Sequence, residues 1–230
     1  MLFHANNQTQ YMLEIKPTMI SRGSLSLLLW GAILWGQKPF EGSITYTIKL
    51  EGAMAAQLAD MVKGQLPEKI VHYYRGNKSR VEAGQSVVIV NGEEGFVYVL
   101  NTSLQTYRKA AIKNPEGSEK APKITKTNEK TKILKYPVEK YLVEISSEQG
   151  PVKMEVWAAP SLKVSESLRG TNTLTQGVRL DGVPLRISTE ALGADLRVVY
   201  LATEISNTPP SETLFQLPEG YLEEKEESKE

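Results

Sequence analysis

SITYTIKL, residues Ser43–Leu50, is the clearest structural signal in the chain. Its apolar and aromatic side chains, Ile44, Tyr46, Ile48 and Leu50, alternate with small or polar ones. This period of two residues is typical of a strand that buries one face and exposes the other. Because such one-sided burial is common in antiparallel sheets, the stretch predicts a half-buried antiparallel strand.

Two hairpins are predicted after this strand. The first hairpin consists of KIVHYY, residues 69–74, and KSRVE, residues 78–82. Between them lies Gly76-Asn77, a pair that accepts the positive φ of a tight turn. SVVIV and FVYVLN, residues 86–90 and 96–101, flank the longer turn NGEEG. The remaining predicted strands are QTYRKA (105–110), KITKT (123–127), VEKYLVEIS (138–146), VKMEVWAA (152–159), VPLRIST (183–189) and LRVVYLATEIS (196–206).

One segment has a helical period instead. AMAAQLADMVKG, residues 53–64, places Met54, Leu58, Met61 and Val62 on one helical face. We expect this helix to be a core element packed on the sheet; the alternative is a cover over a ligand cavity. There are two weaker candidates for a second helix: SLKVSESLRG, residues 161–170, and SETLFQ, residues 211–216.

The predicted fold class is mainly β (α+β). We expect a large curved antiparallel sheet or incomplete β-barrel of about ten strands, with one or two covering helices.

Residues 1–36 have the pattern of a leader and a secretory signal peptide. Arg22 precedes an apolar run, Leu25 to Gly36, of 12 residues. As a helix this run would measure about 18 Å, too short for about 30 Å of bilayer hydrocarbon. The polar leader before Met19 is consistent with a true start at Met19. We therefore expect export, with cleavage near Gly36 and no membrane-spanning segment afterwards.

The predicted domain organisation is a single β-rich domain, residues 37–221, followed by a charged acidic tail, residues 222–230. The chain contains no cysteine. An exported protein without disulfides fits the periplasm of a Gram-negative bacterium, with secretion or outer-membrane association as alternatives.

The composition restricts the chemistry. Without cysteine there is no thiol nucleophile and no thiolate metal site, and only two histidines exist, His4 and His72. The chain has no GxSxG, GxxxxGK[ST] or GxGxxG motif. We expect His72 to be a strand-face or core-edge histidine, and we predict no catalytic residue, metal or cofactor. Hydrolysis by a pair of carboxylates is the enzymatic reading that stays open, although no motif marks such a pair.

The charges balance at 27 basic against 27 acidic residues, which argues against a nucleic-acid partner. The stretch from Arg108 to Lys135 nevertheless carries nine basic and three acidic residues. A lysine-rich segment of this kind is typical of a solvated loop; the alternative is a surface for anionic lipid headgroups.

Three stretches resemble a known family: the strand and turn at Tyr74–Arg80, ILKYPVEKY at Ile133–Tyr141, and FQLPEGY at Phe215–Tyr221. They are similar to the family known as domain of unknown function 4412, exported proteins of Bacteroidetes-type bacteria. The resemblance spans roughly Phe40 to Tyr221 and carries no active residue. In that pattern a glycine is expected where Lys135 stands.

The predicted arrangement also resembles the LolA-like class of periplasmic proteins at the level of the fold. There an incomplete β-barrel, closed by helices, encloses a hydrophobic cavity, and members include lipoprotein carriers. The resemblance implies an arginine that latches the closed state, for which Arg75, Arg80 and Arg186 are candidates.

Two functions follow as hypotheses. The first is a non-enzymatic cell-envelope protein that holds a lipid, acyl chain or lipoprotein in a cavity between the curved sheet and the helix. The second is a structural or protein-interaction module of the periplasm or outer membrane without a small ligand. For the first, the predicted ligand-binding residues are Met54, Leu58, Met61, Val62, Ile44, Tyr46, Ile48, Met154 and Val156, with Leu185 as a further lining residue.

Overall fold

A computed structural model of the protein describes residues 38–62, 64–112, 121–147, 150–191 and 195–224. These residues form twelve strands, one α-helix (α1, Ala55–Val62) and three 3-10 helices (Glu166–Leu168, Thr173–Thr175 and Glu212–Phe215). The strands are β1 Gly42–Glu51, β2 Ile70–Arg75, β3 Lys78–Ala83, β4 Ser86–Asn91, β5 Phe96–Asn101, β6 Thr106–Ala111, β7 Lys123–Ile133, β8 Tyr136–Ile145, β9 Val152–Ala159, β10 Val183–Glu190, β11 Arg197–Ser206 and β12 Leu222–Glu223.

All twelve strands belong to one open sheet in the order β12-β6-β5-β4-β3-β2-β1-β11-β10-β9-β8-β7. Strand β1 lies inside the sheet, antiparallel to β2 on one side and to β11 on the other. Two meanders, β1 to β6 and β7 to β11, therefore meet at β1. Strand β12 is added to the edge of β6 in parallel.

The sheet is curved. Strands β6 and β7 lie ten strand intervals apart in the sheet order, which would be about 48 Å in a flat sheet. Ala111, at the end of β6, is only twelve residues before Lys123, at the start of β7, so at most about 43 Å can separate them. Curvature brings the two ends of the sheet within this reach.

The mainly β architecture predicted from the sequence is confirmed, with twelve strands rather than about ten. Both predicted hairpins are present, and Gly76 has the positive φ expected of its turn. The two weaker helix candidates contain 3-10 helices instead of α-helices. The predicted signal peptide lies outside the described residues, as does the end of the predicted tail from residue 225.

We call the face of the sheet that carries Ile44, Tyr46 and His72 the inner face. Residues 160–182, between β9 and β10, cover it and are here called the inner segment. Leu162 and Leu168 of the inner segment pack in the same core cluster as Ile44 and Tyr46. Side chains of the chain itself therefore fill this part of the concave surface.

The opposite, outer face of β2 to β4 is crossed by residues 207–224, here called the C-terminal strap. Arg75 donates a hydrogen bond to the carbonyl of Pro210, and Arg80 donates one to the carbonyl of Leu214 at 3.0 Å. Phe215 of the strap is buried. Beyond it Leu222 and Glu223 form β12, so the first residues of the predicted tail belong to the sheet.

Helix α1 forms where the helical period predicted it, but none of its residues is buried. The expectation that it is a core element is therefore wrong. The physical reason is that the inner segment already covers the inner face. Helix α1 makes its main element contact with β1. No helix among the described ranges combines the length and apolar character needed to cross a membrane.

Candidate functional site

Four of the sequence-predicted ligand-binding residues lie in the packed core. Ile44, Tyr46 and Val156 are completely buried, and Met154 is nearly so. Ile44 and Tyr46 pack in one cluster with Leu185, whereas Met154 and Val156 belong to a second cluster that includes Val178 of the inner segment. These residues stabilise the fold and do not line one common cavity.

The other five predicted residues lie at or near α1. Met54, Leu58, Val62 and Ile48 are half-buried, and Met61 is 69% exposed. A groove of about 520 Å³ runs between β1 and α1, which we call the α1 groove. Its lining residues are Ile48, Lys49, Leu50, Ala55, Ala56, Ala59, Val62, Gly64, Leu66, Pro67 and Glu68. Of the nine predicted residues, the structure thus brings Ile48 and Val62 together in this groove.

The residues on either side of α1 determine how the chain enters and leaves the helix beside the α1 groove. Gly52, with a φ of +115°, turns the chain from β1 into α1, and a Cβ there would lie 2.4 Å from the carbonyl oxygen of Asp195. Met54 donates its backbone N–H to the same carbonyl at 3.1 Å. At the other end Leu66 and Pro67 follow the helix and line the groove. Neither Leu66 nor Pro67 is among the ligand-binding residues predicted from the sequence.

A buried polar cluster joins the inner face to the inner segment. Asn172 accepts the backbone N–H of Leu174 through Oδ1 at 2.9 Å, so its Nδ2 is the atom that donates to the Tyr74 hydroxyl at 3.4 Å. The Tyr74 hydroxyl in turn shares a hydrogen bond of 2.9 Å with Nδ1 of His72, in which the tautomer of the ring decides the donor. One nitrogen of a neutral imidazole accepts and the other donates, so the ring can satisfy this hydrogen bond in either tautomer.

The environment of His72 favours the neutral ring. Burial lowers the pKa of His72 to about 3, and burial raises the pKa of Tyr74 well above its usual value. Nε2 of His72 has no hydrogen-bond partner among the described residues, and a cavity of about 30 Å³ adjoins the ring. Because ligand pockets measure roughly 300–1,000 Å³, this cavity has room for little more than one water molecule.

None of the three arginines proposed as a latch lines the α1 groove. Arg75 pairs with Glu212 of the C-terminal strap at 3.0 Å, and Arg80 pairs with Glu82 at 2.7 Å. Arg186 bridges Glu51 and Glu155 at 3.3 and 3.0 Å. The structure does not bring any of them to the groove, so a latch role remains a prediction without a contact that supports it.

Two partly enclosed carboxylates have the electrostatics of ion pairs. Hydrogen bonds from Lys126 and Lys130 lower the pKa of Glu139. Desolvation acts to raise the pKa of Glu155, but hydrogen bonds from Trp157 and Lys140 outweigh it and lower the pKa. A general acid in hydrolysis needs a raised pKa, so neither residue has the property that a carboxylate pair would require of its acid.

No protein-family model and no curated protein sequence matches this chain. Both resemblances noted from the sequence therefore remain predictions. Within the described ranges no group of three or more His, Cys, Asp or Glu residues is placed to hold a metal ion.

Proposed function

We propose that this chain is a non-enzymatic cell-envelope protein that binds an apolar chain, such as the acyl chain of a lipid or lipoprotein, in the α1 groove. The observation that carries the proposal is the open apolar volume between β1 and α1. At about 520 Å³ it is within the size range of ligand pockets, and alanine, valine, leucine and isoleucine provide most of its lining.

The energetics set a condition on this binding. Complete burial of ten methylene groups contributes about 8 kcal/mol, and a groove open along one side provides roughly half of that. A binding free energy of about 4 kcal/mol corresponds to a dissociation constant near 1 mM. Tighter binding requires that α1 move further over the ligand.

Helix α1 has the properties of an element that can move. It has eight residues, fewer than the 12–15 or so that an isolated helix needs, and none is buried. Segments with few buried contacts belong to the low-stability part of a protein. Met54 and Met61 add flexible thioether side chains that adapt to chains of different shape. An open curved sheet with a helix at one end also supports the proposed LolA-like class.

The test is native mass spectrometry of the protein incubated with palmitate, without detergent. We expect a palmitate adduct that is lost on denaturation. Ala59→Trp places an indole in the groove and should abolish the adduct, whereas Ala111→Trp, at an exposed position in β6, should retain it. An adduct that survives in Ala59→Trp would place the ligand elsewhere, and no adduct in any variant would contradict the proposal.

A second candidate function is a protein-interaction module of the envelope. It is favoured by the filled inner face and by the exposed apolar side chains of Met61 and Leu66, which are 69% and 40% exposed beside the groove. An apolar surface of this kind also suits a protein partner. In that case palmitate should give no adduct, while Met61→Ser should weaken association with the partner.

A further inference from the structure

The turn between β7 and β8 has an unusual residue at its apex. Ile133 pairs with Tyr136, so the turn consists of Leu134 and Lys135 alone. Leu134 has a φ of +53° and is 50% exposed. Two-residue turns with positive φ favour glycine, asparagine or aspartate, because a larger side chain is strained there. The other non-glycine residues of positive φ in the described ranges, Gln105 and Gln176, are polar.

Leu134 therefore destabilises the folded state in two ways: its backbone has a strained conformation, and its apolar side chain is exposed to water. Backbone strain of this kind clusters at functional sites. The base of the turn is firm: Ile133 and Tyr136 pack against the core cluster of the inner face, and the Tyr136 hydroxyl donates to Oδ1 of Asn207 at 3.4 Å. The fold therefore holds an apolar side chain outward on a fixed support.

Two of the four lysines around this apex have no ion pair among the described residues. Lys126 and Lys130, further along β7, both pair with Glu139, at 2.5 and 2.9 Å. Lys132 and Lys135 are exposed and form no ion pair with any described residue. Residues 132–136, here called the β7–β8 tip, therefore combine an outward leucine with two lysines that lack an ion pair in the described part of the chain. The Lys135 ammonium lies 5.5 Å from the centre of the Tyr136 ring.

We propose that the β7–β8 tip docks the protein on an anionic lipid surface. Leu134 would enter the boundary between headgroups and acyl chains, and Lys132 and Lys135 would contact lipid phosphates. Tyr136 would support the docked turn from within the protein, since its ring packs against the core cluster and its hydroxyl donates to Asn207. Charge complementarity selects this partner, because juxtamembrane lysines are attracted to anionic headgroups.

This docking is independent of the α1 groove. Ser206 pairs with Ser43 at the start of β1, and the next residue, Asn207, contacts Tyr136 of the tip. The groove lies further along β1, at Ile48 and Leu50. The tip and the groove are therefore near opposite ends of β1. A protein docked by the tip keeps its groove away from the lipid surface and open to ligand.

The test is co-sedimentation of the full chain with vesicles of phosphatidylcholine, with and without one quarter phosphatidylglycerol. We expect sedimentation only with the anionic vesicles. Leu134→Asn retains a residue that accepts positive φ and should reduce binding about tenfold without loss of thermal stability. Leu104→Asn is the matched control, because Leu104 is 67% exposed in the turn between β5 and β6, and it should bind like the unmodified chain.

The charge is tested by Lys132→Glu/Lys135→Glu, which should bind at least about tenfold more weakly. Its control, Lys69→Glu/Lys153→Glu, changes the net charge equally at exposed positions away from the tip and should bind normally. Every variant carries the same residues 1–36, so any contribution of that apolar run cancels in the comparison.

Three outcomes would overturn the proposal: equal binding of Leu134→Asn and the unmodified chain, equal binding to neutral and anionic vesicles, or no binding. Ala59→Trp separates the two proposals, because it blocks the α1 groove and leaves the tip intact. Vesicle binding that survives in Ala59→Trp supports the tip. Loss of vesicle binding in Ala59→Trp would mean that the groove takes up lipid and that the tip is not the docking surface.

Discussion

At the scale of single residues, the sequence predicted the position of His72 on a strand but not its hydrogen-bond partners. Its apolar and aromatic neighbours predicted a strand-face or core-edge histidine, and the structure places it on the inner face with almost no exposure. Its hydrogen-bond chain could not be predicted, because Asn172 lies almost one hundred residues further along the chain. Sequence patterns report local periodicity and contain no information about such a distant partner.

The buried His72 should make stability depend on pH. Above pH 6.5 the ring is neutral in both states. Between pH 6.5 and about 3 the unfolded chain binds a proton that the folded chain does not, so the free energy of unfolding falls as the pH falls. Between pH 7 and pH 5 the loss should be about 2 kcal/mol. Tyr74, which lines the same cavity, stays neutral over this range because burial raises the pKa of its hydroxyl.

Urea denaturation at pH 7, 6 and 5 measures this effect, and His72→Phe is the comparison. Phenylalanine preserves the stacking on Tyr74, whose ring centroid lies 4.1 Å from that of His72, but it cannot be protonated. The variant should be less stable at pH 7, since Tyr74 loses a hydrogen-bond partner, and should lose less stability between pH 7 and pH 5. Equal losses in both proteins would show that His72 is not responsible.

A second residue-scale prediction concerns Gly52, where the chain enters α1. Gly52→Ala would place a Cβ 2.4 Å from the backbone oxygen of Asp195, and backbone cannot give way as a flexible side chain can. We expect a loss of about 2–3 kcal/mol in the free energy of unfolding and faster amide exchange in α1. Gly95→Ala is the control, because Gly95 also has positive φ but no atom lies within 4 Å of its added Cβ. It should cost only about 1 kcal/mol. Equal losses would contradict the steric argument.

At the scale of elements, the strands were predictable and the segments that cover them were not. Alternating apolar residues and turn residues such as Gly76-Asn77 are local signals, so all the longer strands could be identified at least in part. Strand β7 was predicted as residues 123–127 and continues to Ile133, through a lysine-rich stretch without that alternation. The inner segment and the C-terminal strap are held by contacts between distant residues, for example Arg80 with the carbonyl of Leu214. The apolar stripe of α1 predicted a buried helix, but the surface it would have covered is occupied by the inner segment.

The C-terminal strap should contribute to stability through Phe215, which is buried where the strap crosses the outer face. Phe215→Ala should lower the free energy of unfolding by about 3–5 kcal/mol, measured by urea denaturation. Leu217→Ala, two residues further on and exposed, should cost less than about 1 kcal/mol. Similar losses in the two variants would mean that the strap is held by its backbone and its ion pairs and not by this side chain.

At the scale of the whole molecule, the predicted cavity and the observed groove differ for a topological reason. The sequence predicted both the curved sheet and the helix, and a cavity between them was the natural inference. Whether that space is empty depends on the inner segment. The sequence marked its first 3-10 helix only as part of a weak helix candidate, residues 161–170, and did not mark its second. Ile44 and Tyr46 consequently became core residues, and an apolar opening is found at Ile48, near the end of β1.

The separation between the groove and the β7–β8 tip gives a prediction for the orientation of the docked protein. Seven residues of strand separate Ser43 from Leu50, which corresponds to about 23 Å along β1. That distance exceeds half of the bilayer hydrocarbon, about 15 Å. An indole at the tip should therefore reach the acyl chains, whereas an indole in the α1 groove should not.

Fluorescence quenching by brominated lipids in anionic vesicles measures this difference, since bromine quenches an indole only at short range. Leu134→Trp should gain a signal that is strongly quenched and shifted to the blue on vesicle binding. Ala59→Trp should gain a signal that the same vesicles leave almost unchanged. The unmodified chain supplies the background of Trp30, Trp35 and Trp157, which is subtracted from both. Quenching at position 59 without quenching at position 134 would reverse the orientation and identify the groove end as the surface that meets the membrane.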